Sequence, residues 1–185
     1  MKATGIVRRI DHLGRVVVPI SIRRNLRIRE GDPLEIFIDR DSGIIFRKYS
    51  PFVGLEDFAQ MYSDSLYKSS GQIAFITDKD AIIAVSGASK KEFMYKSIGD
   101  IVEKVMNERR IFCHNGSEEK ETGLSFLADD EESTFSSILI APIISGSEPV
   151  GSVVLCSMEP GVKMGEVEIK LAATATEFLG RHVSQ

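Results

Sequence analysis

Residues that build catalytic and metal centres are scarce in this sequence. There are three histidines (His12, His114, His182) and two cysteines (Cys113, Cys156) among 185 residues. None falls into a metal-ligand spacing or beside a nucleophile motif, and no Gly-rich phosphate loop is present. An enzyme or a resident cofactor is therefore not expected. The acidic run Asp129–Glu132 reads as a solvated loop rather than a metal site. Two thiols do not make a disulfide framework and are expected to be reduced. No apolar run approaches the roughly 20 residues of a membrane span. The N-terminus lacks the hydrophobic stretch of a secretory signal, so a cytoplasmic location is expected. An overall positive charge is also missing: the net charge is −4, which by itself argues against a nucleic-acid partner.

The distribution of charge reverses that argument. Residues 1–50 carry 11 Lys and Arg against 6 Asp and Glu, a balance of +5. The remaining residues carry 12 against 21, a balance of −9. Two modules with different partners follow from such asymmetry. The expected division is 1–50 for the first module, 51–55 for a linker and 56–185 for the second.

In the first module, Lys2–Ile10 reads as a strand, Asp11–Gly14 as a turn and Arg15–Val18 as a β-branched strand closed by Pro19. Ser21–Leu26 reads as a short helix that Arg23 and Arg24 open. Leu34–Asp39 and Ile44–Lys48 read as a hairpin around Asp41–Gly43. Five arginines in Thr4–Leu26, Arg8, Arg9, Arg15, Arg23 and Arg24, sit among apolar residues on this scaffold. Guanidinium groups held rigidly suit phosphate oxygens and guanine edges. Arg8 and Arg9 are strand neighbours and face opposite ways. Few acids lie near the arginines to neutralise them. A core of about 48 residues is marginal alone and would leave bare strand edges. An obligate dimer that interleaves hairpins is expected on those grounds.

The second module reads as helix (Leu55–Ser70), strands (Gln72–Thr77, Ala81–Val85), helices (Lys90–Tyr95, Ile98–Arg109), a strand (Ile111–Cys113), a polar loop (His114–Glu132), two strong strands (Phe135–Ile144, Val150–Met158) and a closing helix (Glu166–Val183). An antiparallel sheet with helices on its faces, an α+β plan, is expected. The apolar stripes are Leu55, Phe58, Tyr62 and Leu66 on the first helix and Val167, Leu171, Ala175, Phe178 and His182 on the last. Two chains pairing these stripes would form a four-helix bundle. The sequence leaves dimer and tetramer open.

Thr4-Gly5-Ile6-Val7-Arg8, Leu13–Pro19, Ile22–Leu26 and Leu34-Glu35-Ile36 closely resemble the AbrB family of bacterial transition-state regulators. The resemblance implies a swapped-hairpin β-barrel formed by a dimer, with Arg8, Arg15, Arg23 and Arg24 on double-stranded DNA. Lys2, Arg9 and Arg27 are candidate secondary phosphate contacts. His12 stands where that family commonly has an acidic residue. The second module resembles a GAF domain in the order of its elements. Asp78-Lys79-Asp80, Ala84–Lys91 and Met164–Glu168 continue a likeness to AbrB-type regulators that carry such a domain. This combination implies a transcriptional regulator acting in the developing spore, favours a tetramer and allows a small-molecule effector. Candidate pocket residues are Phe75, Ser86, Ser89 and Phe112. The signature of cyclic-nucleotide binders is missing. Competing readings are an antitoxin-like partner module and a metabolite sensor whose DNA binding is secondary.

Overall fold

A computed structural model describes residues 5–39, 43–116, 126–128 and 135–183. The chain divides into two compact units, 1–49 and 50–185.

In the first unit, α1 (Ile20–Asn25) is followed by β1 (Leu34–Ile38) and β2 (Ile44–Lys48). The two strands pair antiparallel, with Leu34 opposite Lys48 and Ile38 opposite Ile44. The arms expected to be strands at Lys2–Ile10 and Arg15–Val18 form no strand among the described residues. The Asp11–Arg15 turn joins them: the Asp11 N–H donates to the Arg15 carbonyl (3.1 Å) and the Gly14 N–H to the Asp11 carbonyl (3.0 Å). Gly14 turns the chain at φ +76°, a conformation that glycine adopts without a steric penalty.

In the second unit, α2 (Glu56–Ser70) leads to β3 (Ile73–Thr77), β4 (Ile82–Ser86), α3 (Lys90–Phe93) and α4 (Asp100–Glu108). Strands β5 (Phe112–Asn115), β6 (Ser137–Ser145) and β7 (Glu148–Ser157) follow, and α5 (Glu166–Val183) closes the chain. The five strands form one antiparallel sheet in the order β4-β3-β7-β6-β5. Helices cover both faces, which explains why β6 and β7 are continuous apolar runs rather than alternating ones. Ala74, Ile76, Leu139, Ala141, Val153 and Leu155 pack under α2 and α5. Phe75, Ile138, Ile140, Val154 and Cys156 pack against α3 and α4 on the other face. Phe52, in the expected linker, is buried in the core of this unit.

Local chemistry sets the helix ends. Gly71, at φ 70°, closes α2 by donating its N–H to the Tyr67 carbonyl, the αL ending common to helices. Glu168 reaches back to accept the Gly165 N–H (2.7 Å) at the start of α5, as in a capping box. The β4 edge is closed on both sides of the ladder. The segment after α3 pairs with Ile82. The Gln60 side chain of α2 donates to the Val85 carbonyl and accepts its N–H. Such closure removes a template for edge-to-edge pairing.

Both helix stripes differ from expectation: of Leu55, Phe58, Tyr62 and Leu66 on α2, only Leu66 is fully buried. The fully buried face of α5 is Ala172, Ala175, Thr176, Leu179 and Gly180; of the expected stripe, Ala175 belongs to it and Leu171 packs half-buried against the same core. Val167 and Phe178 are 63% and 49% exposed. The helix carries two weakly polar stripes. The one with small residues wins because it lets the helix backbone approach the sheet. On α2, the buried residues are Ala59, Ser63 and Leu66, and the Ser63 hydroxyl donates to the Ala74 carbonyl (2.8 Å).

Candidate nucleic-acid interface

Arg8, Arg9, Arg15 and Arg24 are exposed, and Arg23 is half-buried. Arg23 and Arg24 lie in the last turn of α1 rather than opening it, because the helix begins directly after Pro19. Their charges there complement the helix dipole. Arg27, also exposed, follows α1 at φ +50°. The Nε of Arg23 is buried with no acceptor among the described residues. Lys2 lies outside the described residues.

Sequence reading missed the acid in this set. Asp11 Oδ2 accepts the Arg15 Nε–H at 2.8 Å, while Oδ1 accepts the backbone N–H groups of Leu13 (2.9 Å) and Arg15 (2.8 Å). The Arg15 N–H and then its guanidinium hold the Asp11 carboxyl below its ordinary value. The available signal was an acid and an arginine four apart across a glycine turn.

A second acid holds the chain beyond α1. Asp32 Oδ2 accepts the Arg29 N–H (2.8 Å) and pairs with Lys48 Nζ (3.2 Å), which also donates to the Arg27 carbonyl (3.1 Å). Burial pushes the Asp32 carboxyl up, but the Arg29 N–H and Lys48 outweigh it and leave the group below its ordinary value. A carboxyl depressed on folding contributes stability above its unfolded pKa and loses it as pH falls through the folded value. Acidifying from about pH 5 should therefore weaken the first unit, and Asp32→Asn should flatten that acid limb. Thermal melts of the two proteins across pH check this; identical acid limbs would contradict it.

Much apolar surface among the described residues of the first unit is exposed. Val7 and Ile38 are each 85% exposed, and Val17, Ile10 and Ile36 are exposed as well. In the second unit, Phe58, Tyr62, Phe178 and His182 form a ring cluster on the outer side of α2 and α5. Phe58 stacks on His182 at 4.4 Å, and Tyr62 on Phe178 at 5.6 Å. A groove of about 360 Å³ runs between the same helices, lined by Tyr62, Ser65, Val167 and Leu171 among others.

Of the four candidate pocket residues, Phe75 and Phe112 share one apolar cluster, and Ser86 and Ser89 lie elsewhere. Phe75 is fully buried in an aromatic cluster with Phe93 (5.2 Å) and Phe126 (4.9 Å), under α3 and α4. Ser86 faces α2, bonded to Asp64 and Gln60. Ser89 is exposed and Phe112 half-buried.

A protein family described as stage V sporulation protein T C-terminal, transcription factor, matches residues 54–184. Stage V sporulation protein T of Bacillus subtilis (strain 168) is 48% identical over 185 residues, the full length of both chains. The chain belongs to the stage V sporulation protein T family. It is accordingly a transcriptional regulator of the sporulation type, with an AbrB-like first unit and a GAF-like second one. The transition state regulatory protein AbrB of the same organism is 47% identical over 73 residues, covering 40% of this chain and 75% of that protein. Residues 7–53 also match a family described as antidote-toxin recognition MazE, bacterial antitoxin. The GAF domain of an Acinetobacter phosphoenolpyruvate-protein phosphotransferase superposes with a TM-score of 0.59 at 15% identity, covering 74% of this chain and 84% of that one. That likeness concerns fold alone. No helix among the described residues is long and apolar enough to cross a membrane.

Proposed function

We propose that this regulator binds double-stranded DNA through a dimer of its first unit, with Arg8, Arg15, Arg23 and Arg24 of each chain reaching phosphates and base edges. Arg9, Lys2 and Arg27 add phosphate contacts. The observation that carries this reading is the set of exposed arginines on a unit whose apolar residues stand open, Val7 and Ile38 foremost. Apolar surface of that extent in a soluble protein marks an interface. Pairing two copies would cover it and double the arginine set. The ring cluster of α2 and α5, half-buried at Phe58, Tyr62 and His182 and exposed at Phe178, supports a second, separate association of the C-terminal units. Together the two interfaces make a tetramer of 20.5-kDa chains, acting in the cytoplasm of the forespore. A small-molecule effector of the second unit is the subsidiary part of this reading.

Binding to the protein's own promoter DNA and to random DNA of equal length, across salt, tests the proposal. Counterion release by six or more phosphate contacts should lower affinity about a thousandfold or more between 50 and 200 mM salt. A clear promoter preference and a four-chain mass in sedimentation are expected. Equal affinity for both DNAs would indicate a nucleoid-type binder. The match of residues 7–53 to an antitoxin family favours a protein-partner module as the second reading. No DNA binding at moderate salt would turn the choice to it.

A further inference from the structure

We infer that Asp11 is a positioning residue that aims the Arg15 guanidinium at DNA. The inference rests on the DNA-binding reading above. A carboxylate among five arginines is a liability at a polyanion surface unless it does something for one of them. Both oxygens of Asp11 are engaged within one turn. Oδ1 holds the N–H groups of Leu13 and Arg15, and Oδ2 holds Arg15 Nε. The Asp11 N–H and carbonyl also close the turn, on Arg15 and Gly14. Backbone and side chain of Arg15 are thus tied to the same residue.

The tie selects one edge of the guanidinium. With Nε turned to Asp11, the edge formed by the two terminal nitrogens remains for an outside acceptor. The Arg15 side chain stays 68% exposed. Two parallel N–H groups on that edge match a phosphate, or the O6 and N7 of guanine. An arginine already held in one orientation loses less side-chain entropy on binding than a free one. The lowered Asp11 carboxyl keeps the tie charged at neutral pH.

The test uses Asp11→Asn in the full-length protein, alone and combined with Arg15→Ala. Asparagine keeps an oxygen for the two backbone N–H groups but cannot accept from Nε. The promoter-over-random affinity ratio should fall about fivefold or more. Affinity for random DNA should hold or rise, because a negative charge is lost. In the Arg15→Ala background, Asp11→Asn should leave the ratio unchanged. A wild-type ratio in Asp11→Asn, where Arg15→Ala abolishes preference, overturns the inference while sparing the DNA contact. If Arg15→Ala alone changes nothing, the contact and the inference fall together. One readout needs no variant: the Arg15 Nε–H of the free protein should exchange slowly in nitrogen-detected NMR, and free exchange overturns the tie.

Discussion

Replacing Arg15 by alanine is expected to abolish promoter preference while leaving both units folded. A well-placed bidentate arginine contributes about 1–3 kcal/mol of discrimination. The proposed hairpin dimer would present the residue twice, so the expected loss is about 2–6 kcal/mol, roughly thirtyfold to twenty-thousandfold in affinity. The fold should tolerate the change. The side chain is 68% exposed and its ion-pair partner is Asp11, on the same turn. Backbone N–H groups would still occupy Asp11 Oδ1. Fluorescence anisotropy with promoter and random DNA, paired with circular dichroism, measures both halves of the expectation. An unchanged affinity would remove Arg15 from the DNA surface. Arg23→Ala should also weaken binding, but its Nε is buried, so any change in its melting curve must be separated from the DNA effect.

Gly180→Ala should destabilise the second unit although it improves helix propensity. Exchanging glycine for alanine inside a helix ordinarily gains about 1 kcal/mol. Here the new Cβ would sit 2.1 Å from the Ile144 carbonyl oxygen. That oxygen belongs to β6, which is paired with β7 along its length and cannot withdraw cheaply. The helix would have to lift instead, loosening Ala172, Ala175 and Leu179 against the sheet. Overpacking of this kind costs about 1–3 kcal/mol and occasionally more. Set against that gain, a net loss of up to about 2 kcal/mol corresponds to a midpoint lower by up to about 5–10 °C. Gly165→Ala is the control: its added methyl meets only the Glu168 side chain, at 3.6 Å. Calorimetric midpoints falling equally in both variants would show that the close approach at Gly180 is not the cause.

The sequence alone determined the two-module plan. Charge asymmetry separated the modules, and hydrophobic period with turn residues located α2, β1, β2 and α5 to within a residue or two. The arginine set could be proposed from sequence because the residues are close along the chain and their chemistry is carried by residue type. What remained hidden was a choice among alternatives that look equal along the chain. The last helix carries two stripes, Val167-Leu171-Phe178-His182 and Ala172-Thr176-Leu179-Gly180, around a shared Ala175. Only packing on the sheet chose the second, because small residues permit the shorter distance. Phe75 and Ser86 were both candidate pocket residues, yet they face opposite sides of the sheet. Side-chain direction there depends on pairing with β7 and on a register shift between Ile76 and Thr77. Asp11 was visible as a letter but not as the partner of Arg15, since that pairing needs the turn to close. Local pattern thus decided element type for α2, β1, β2 and α5, though not for the arms around the Asp11–Gly14 turn, which form no strand among the described residues. Tertiary structure decided which face turns inward and which charge meets which, since those depend on residues far apart in sequence.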